Sequence, residues 1–471
     1  MTTVAKHEMD LTTGSILKKL IRFAIPIILM NMLQMLFNVT DVAILGMLVG
    51  DMEVGAVGAT TALISLIVNL FIGFSVGTNV VLAKCVGSRD GEKANRVVGT
   101  SVVMSVIIGI CLTFVGFFGA KTFLTWMGCD PLLLDKATLY LKIYFLGMPI
   151  IMLYNFMAAV MRAVGDTVRP MIFLFIAGVV NVGFNVFFIL AFNMDVDGVA
   201  IATVVSQAIS ATLAIIVAIK SKGYGRLKLS CLKIHKKEFF EILKIGLPSG
   251  LQSSMFAISN VLIQTTVNSF GAVGTTGNAV AQQFDGFVWQ VGNSMSLGCM
   301  SFVSQNYGAG RMDRVKQVLI RAVIVAAIFS FSLGGLFVLL CNPLCRIMTS
   351  DPAVIEIARQ RLTLLGLTYF ICAIMDVLNN SLRALGKSVT AMIISLCFVC
   401  IFRIVWLNSF YLLNPVFTMI YWSYPISWIM SIAVVLIFLL SAIKKAQMKI
   451  NNKTQIAQTE ISTEEDQTEA V

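Results

Sequence analysis

The chain is predicted to be an all-α membrane protein. Twelve transmembrane helices are expected, in two six-helix lobes related by a pseudo-two-fold axis along the membrane normal. Three observations predict this: a composition too apolar for a water-facing surface, twelve apolar segments of bilayer-spanning length, and a repeat that maps one half of the sequence onto the other.

Of 471 residues, 58% are hydrophobic and 13% are charged. Ordinary soluble domains carry about 25% charged residues and about 45–50% apolar ones. Mean hydropathy is +0.88. Too few polar residues remain to cover a surface in water, so lipid is the matching solvent. The net charge is +11, but the basic residues stand in short runs between apolar segments. That pattern points to loops facing anionic lipid and away from nucleic acid. The ten cysteines lie mostly in or beside apolar segments, where they read as small packing residues. Cys397 and Cys400 form a CxxC but lack the second ligand pair of a structural zinc site. No cleavable signal peptide is expected, because the first apolar run is too long and no small-residue cleavage site follows it.

A spanning helix needs about 20 mostly apolar residues. That window gives spans at 23–49, 56–83, 97–120, 139–161, 170–192, 198–219, 245–268, 278–303, 320–341, 362–382, 389–413 and 419–443. With the N-terminus inside, the inner segments hold 28 of the 35 basic residues. Six fall outside (Lys121, Lys136, Lys142, Arg346, Arg359 and Arg361), and Arg403 alone falls within a span. This asymmetry places both termini in the cytoplasm and agrees with an even helix count. The domains expected are an N-lobe at 1–219, a basic cytoplasmic linker at 220–244, a C-lobe at 245–445 and a disordered cytoplasmic tail at 446–471, which has no apolar face.

Pro26 and Asn38 match Pro248 and Asn260 at an offset of 222. Gly77, Gly87, Arg162, Gly165 and Met171 match Gly298, Gly308, Arg383, Gly386 and Met392 at 221. Matches at one offset, in equivalent places of the helix order, are an internal repeat. Six helices per copy leave both copies in the same orientation, so the axis runs along the membrane normal. A central cleft between two such lobes suits alternating access.

The first helix carries Pro26, Asn38-Val-Thr-Asp41 and Gly46. Gly87-Ser-Arg-Asp-Gly91 follows helix two, and Gln305-Asn-Tyr-Gly308-Ala-Gly310 follows helix eight. Helix four ends in Met161-Arg162-Ala-Val-Gly165-Asp166, helix five carries Asn181-Val-Gly-Phe-Asn185, and helix six opens with Asp197-Gly198-Val-Ala-Ile-Ala202-Thr203. In order and spacing, from about residue 15 to about residue 445, these motifs resemble the multidrug and toxic compound extrusion (MATE) family. The resemblance implies twelve helices in two lobes. It also implies secondary active efflux of organic, cationic or amphipathic compounds by antiport with H⁺ or Na⁺. In one branch of that family the coupling site lies in the N-lobe, at positions that look like Asp41, Asn181, Asn185 and Thr203 here. Asn185 stands where some members have a second Asp. Another branch uses a Glu in helix seven, where Phe256 stands here.

The residues support such a site independently. A carboxylate inside a span costs about 2.5–3.5 kcal/mol or more and ordinarily faces a cavity or a partner. At about 1.5 Å per residue, Asp41, Asn181, Asn185 and Thr203 all fall in the outer half of the bilayer. Asn181 and Asn185, four apart, share a helix face. Two mechanisms follow: Asp41 loads and releases a proton, or its carboxylate joins the amide and hydroxyl oxygens in a cage for Na⁺. A purely structural Asp capped by two Asn is the alternative. Pro26 reads either as a hinge or as a helix start near the inner surface. Met30, Gln34, Asn38, Gln252, Asn260, Asp285 and Asp376 are candidates for the substrate cavity. Asp285 is expected either to pair with Arg403 or to face the cavity. Met30, Met32 and Met35 suit an adaptable apolar pocket but also ordinary packing. Gly46/Gly50 and Gly73/Gly77 have the spacing of close helix contacts.

No cofactor is expected beyond the coupling ion. The expected partners are a small organic substrate and membrane lipid, with no nucleic acid, and the chain is expected to act as a monomer. An enzyme is disfavoured: His7 and His235 lie in polar segments, and no HExxH is present. A flippase for lipid-linked saccharides is the alternative function, although it would want several cavity Arg or Lys.

Overall fold

A computed structural model describes residues 8–469, with side chains described to residue 452. The described residues are helical with no strand, and they form twelve long rods. In the N-lobe these are α1 (Ile16–Leu48), α2 (Asp51–Ser88), α3 (Gly91–Trp126), α4 (Pro131–Leu146 and Met148–Ala163), α5 (Val168–Phe192) and α6 (Val196–Lys220). In the C-lobe they are α7 (Lys236–Asn268), α8 (Gly271–Gly308), α9 (Met312–Leu339), α10 (Pro352–Ala384), α11 (Ser388–Leu413) and α12 (Phe417–Glu469). Nine of the described helices are long and apolar enough to cross a membrane, or ten with the bent pair that makes α4. The remaining two rods, α7 and α8, are equally long, but Ser, Thr, Gln and Asn residues dilute their apolar runs.

Local signals set several helix ends. Asp90 accepts from the Lys93 N–H at 2.9 Å and starts α3. Asp130 and Asp351 do the same for α4 and α10, each followed by a proline at the first helical position, which has no N–H to leave unpaired. The bend of 51° in α4 falls at Gly147, two residues before Pro149, which cannot donate to the preceding turn. In α10 and α11 the helix widens into single π turns, at Leu362–Gly366 and Leu396–Ile401.

The repeat is visible as contacts. A Cβ on Gly87 would lie 1.9 Å from the Gln305 carbonyl oxygen, and one on Gly308 would lie 2.2 Å from that of Lys84. Each glycine of this matched pair thus packs on the other lobe at an equivalent place. Gly165 and Gly386 both adopt left-handed backbone, at φ 91° and 87°. There they close equivalent turns after Arg162 and Arg383.

Among the described residues, the hydrogen bonds and close glycine contacts between the lobes cluster along one half of their length. Gly73 and Gly77 on α2 lie against Gly250 and Ile242 of α7. Asn31 donates to Ser294 at 3.0 Å, Ser301 to Asn79 at 3.1 Å, and Ser254 to the Leu66 carbonyl at 3.2 Å. All these contacts belong to the end that carries the basic linker. There, Glu241 and Glu238 of α7 pair with Lys93 at 2.8 Å and Arg96 at 3.0 Å. Residues 8–15 lie across the same end. Leu11, fully buried, receives a bond from Asn306 on its carbonyl and donates its N–H to Gln305, both at 3.1 Å. Gln305 in turn donates to Ala163 of the N-lobe at 2.7 Å. Arg311 and Arg314 hold the carbonyls of Thr12, Thr13 and Gly14. Toward the other end the lobes part, and Leu36 and Val39 on α1 and Val261 on α7 become exposed.

Several expectations change. Helix α1 begins at Ile16, so Pro26 lies in the helix interior and is not a helix start; Pro248 is likewise inside α7. Helix α7 begins at Lys236, inside the expected linker, because its first turns are amphipathic and pack on α3. Residues 446–452 continue α12 and are not disordered, since no Pro or Gly interrupts the run; the side chains of the rest of the expected tail lie outside those described, as does His7. Gly46 meets α2 at a Val54 methyl group, 3.3 Å from where a Cβ would stand, whereas Gly50 lies in the turn that precedes α2.

Candidate functional site

Helices α1 and α5 run side by side because Gly178 admits the ring of Phe37. A Cβ at Gly178 would lie 1.8 Å from that ring. Farther along both helices, this approach brings Asp41 to Asn185, whose amide donates to the Asp41 carboxylate at 2.6 Å. The same amide nitrogen reaches Asn181 Oδ1 at 3.4 Å. Asn181 donates to Thr203 Oγ1 on α6 at 3.5 Å, and Thr203 donates to the Val199 carbonyl at 2.9 Å. The four residues predicted to act together therefore form one chain across three helices. Asn181 and Asn185 are buried, while Asp41 and Thr203 are half-buried.

The donor set is all oxygen. Asn185 Oδ1 is buried with no hydrogen-bond partner. An amide can present either end, so this oxygen can accept a hydrogen bond from a protonated Asp41 carboxyl or face a bound cation. One carboxylate, two amide oxygens and a hydroxyl suit a hard monovalent cation. Among the described residues no group of three His, Cys, Asp or Glu is placed to hold a metal ion. Asp41 is the one carboxylate of the four residues.

The other predicted residues divide. Gln34, Asn38 and Asn260 are exposed in the half where the lobes part. Met30 is packed in the core between lobes and does not line a cavity. Gln252 is buried and accepts from Arg383 at 2.6 Å. Asp285, 2% exposed, does not pair with Arg403 and does not face a cavity: Arg361 donates to it at 2.7 Å and to Asn278 at 2.6 Å. Asp376 is half-buried, with Arg383 as its charged neighbour. Arg403 donates to Ser427 at 3.0 Å and lies over the ring of Tyr424 at 4.1 Å. Phe256 packs against the C-lobe core. The apolar window opens at 362 and so places Arg361 in an outer loop, whereas the structure has it buried at the end of the first segment of α10. The missed signal is Asp351-Pro352, which starts the helix three turns earlier. Beside Pro26, Ile25, Ile28 and Leu29 line an apolar groove of about 460 Å³ with residues of α8 and α9.

Comparison with known proteins bears on this arrangement. Residues 26–187 and 248–407 each match MatE. The chain belongs to the MatE family. The two matched stretches are also the two copies of the repeat. Among curated relatives, the probable multidrug resistance protein YpnP of Bacillus subtilis is 27% identical, over 82% of this chain and 86% of that protein. The probable multidrug resistance protein NorM of Thermotoga maritima is 26% identical, over 80% and 82%. A multidrug resistance MATE transporter solved in an outward-facing conformation superposes with a TM-score of 0.86 at 19% identity, covering 95% of this chain and all of that one. The Vibrio cholerae MATE transporter VcmN gives 0.85 at 20% identity, covering 93% and 99%. MatE proteins are membrane efflux transporters and not enzymes, so this chain is a multi-pass transporter.

Proposed function

We propose that this transporter exports organic, cationic or amphipathic compounds by antiport with H⁺ or Na⁺, with Asp41 as the coupling carboxylate. The observation that carries the reading is the bonded chain Asp41–Asn185–Asn181–Thr203, which includes one acceptor oxygen left without a partner. The relatives named as multidrug resistance proteins support the substrate class. They do not favour a flippase for lipid-linked saccharides.

The basic end is the cytoplasmic face in this reading, since positive loops stay inside. The lobes are then closed inward and parted outward. An external cation reaches the half-buried Asp41 and neutralises it. A neutral Asp41 no longer attracts the Asn185 amide as an anion does, so the tie between α1 and α5 weakens. Pro26, in the interior of α1, leaves one carbonyl of the preceding turn without its backbone donor and gives the helix a place to bend. Movement of α1 changes the wall of the cleft, because Gln34 and Asn38 sit on the same helix as Asp41. The substrate leaves outward, and the cation leaves inward once the lobes rock. The test is ethidium movement in membrane vesicles under separately imposed Na⁺ and pH gradients. Uphill movement under one gradient names the ion; no movement under either would sink the reading.

A further inference from the structure

The apolar groove beside Pro26 opens on the outside of the bundle, where the two lobes meet. One wall is α1 of the N-lobe, with Ile25 and Leu29; the other is α8 and α9 of the C-lobe, with Val291, Ile328, Phe329 and Leu336. All of these but Val291 are exposed. The groove holds about 460 Å³, and of its nine lining residues only Ser332 is polar. Water there would find almost nothing to bond, so the groove suits hydrocarbon.

Three cations stand at its basic end. Lys18 precedes Ile25 by seven residues, Arg22 precedes Leu29 by seven, and Arg321 precedes Ile328 by seven. Seven residues are two turns, so each cation shares a helix face with a groove residue and lies about 10 Å from it along the axis. All three are exposed. Arg314 ties the start of α9 to the start of α1: it donates to the Thr13 and Gly14 carbonyls at 2.8 Å, and it is close enough to Arg321 to feel its charge. Among the described residues Lys18, Arg22 and Arg321 have no ion pair and no hydrogen bond, whereas Lys19 holds the carbonyls of Asp10 and Thr13. A cationic compound in this groove would meet three like charges. A free phosphate would answer the cations and leave the groove unfilled.

The repeat supplies a contrast. At offsets of 222 for α1 and α7 and 221 for α3 and α9, Ile25, Leu29 and Ile328 map to Leu247, Leu251 and Ile107, while Lys18, Arg22 and Arg321 map to Phe240, Lys244 and Thr100. The apolar wall repeats and the charge does not, so the combination occurs once in the molecule.

We propose that one anionic phospholipid of the inner leaflet binds here, with its phosphate on Lys18, Arg22 and Arg321 and an acyl chain in the groove, and that it favours the conformer closed at the basic end. Basic pockets between spanning helices at the cytoplasmic side suit phosphorylated headgroups. The seat is built from both lobes, so it is complete only while α1 lies against α8 and α9. A ligand that binds one conformer better shifts the balance toward it. Bending of α1 at Pro26 moves Ile25 and Leu29 and takes the seat apart. From the export reading above the proposal takes the orientation of the basic end and the rocking of the lobes.

Lipid binding to purified protein in detergent is read by native mass spectrometry, with phosphatidylglycerol titrated against phosphatidylcholine of the same chains. Wild type should retain one phosphatidylglycerol in preference. Each cation near an anionic headgroup contributes about fivefold, so Lys18→Gln, Arg22→Gln and Arg321→Gln together should lower phosphatidylglycerol affinity about a hundredfold. Unchanged phosphatidylcholine and ethidium binding shows that this variant is folded. A control triple on α12, Lys444→Gln, Lys445→Gln and Lys449→Gln, removes three exposed cations and should keep the preference. Ile328→Trp fills the groove and keeps the charge; it should weaken phosphatidylglycerol about tenfold, the contribution of two displaced methylene groups. Spin labels at Arg89 and Asp313, on opposite lobes at the basic end, should gain short distances when phosphatidylglycerol replaces phosphatidylcholine in nanodiscs, and should not do so in the groove triple. No preference in wild type, an equal loss in the control triple, or full binding by Ile328→Trp would each overturn the site. Binding with distances that ignore the lipid would overturn its effect on the lobes. Binding in detergent needs no transport, so failure of ethidium movement in vesicles would refute the export reading and leave the lipid result standing.

Discussion

Replacing Gly250 with Ala probes the closure of the basic end directly. An ideal Cβ at Gly250 would lie 1.8 Å from the Leu70 carbonyl oxygen. An ordinary contact needs about 3.5 Å, so α2 and α7 must separate by roughly 1.5 Å to admit the methyl group. The obstacle is backbone on a packed helix and not a flexible side-chain tip, so rotamer changes cannot relieve it. Overpacking of this kind costs about 1–3 kcal/mol. Applied to the present conformation and not to one in which these helices have parted, that cost shifts the balance roughly 5- to 150-fold. The assay is electron–electron distance measurement between spin labels at Arg89 and Asp313, both exposed at the basic end on opposite lobes, with the native cysteines replaced. Gly250→Ala should add a longer-distance population absent from the parent. An unchanged distribution in a folded, transport-competent variant would refute the reasoning and make the crossing a pivot that persists through the cycle.

The buried C-lobe ion pair predicts a stability effect. Arg361→Ala leaves Asp285 without its partner and should cost about 3–5 kcal/mol, lowering the detergent melting temperature. A double change to Arg361→Met and Asp285→Leu should recover most of the loss, and equal melting of the two variants would contradict that. The segment at residues 8–15 should loosen in acid. Burial alone would raise the Asp10 carboxyl, but bonds from the Thr12 hydroxyl and N–H and the Thr13 hydroxyl, with the charge of Lys19, outweigh it and hold the group below 3.8. A lowered folded value means the stabilisation is present above the unfolded value and is lost as pH falls through the folded one. Hydrogen exchange at the Thr12 amide should therefore rise on going below about pH 4; a flat profile would show that Asp10 does not hold the turn. Gln305→Ala removes the bridge from Leu11 to Ala163 and should expose this segment to added protease. Unaltered cleavage would place the closure elsewhere.

What could be read from the sequence was what hydropathy, charge and repetition encode. The N-lobe cluster of Asp41, Asn181, Asn185 and Thr203 was implied by the family resemblance, and it was supported by a carboxylate that is conspicuous within an apolar run and by Asn181 and Asn185 sharing a helix face. The C-lobe was less legible. Arg361 sits beside charged Glu356 and Arg359, so a window for apolar runs begins after it, and only the proline-marked start of α10 shows that it is inside the helix. Arg403 was found within a span, but its partner was not, because the π turn before it shifts the helix face by one residue and hydropathy has no term for that. The role of Gln305 and Asn306 depends on a contact with Leu11 some 294 residues away in sequence, and no local pattern announces such a contact. Met30 and Gln252 looked like cavity residues because residue type alone does not say which face of a helix meets another helix.

The central claim is that Asp41 couples the cation to transport and is more than a fold-stabilising group. Asp41→Asn keeps an acceptor for Asn185 but can neither release a proton nor offer a negative charge to Na⁺. The measurement is ethidium movement in reconstituted vesicles, scored both as exchange at equal concentrations and as uphill accumulation under an imposed ion gradient. The account predicts that Asp41→Asn retains exchange and loses accumulation. Accumulation equal to wild type would contradict it and return Asp41 to a structural role.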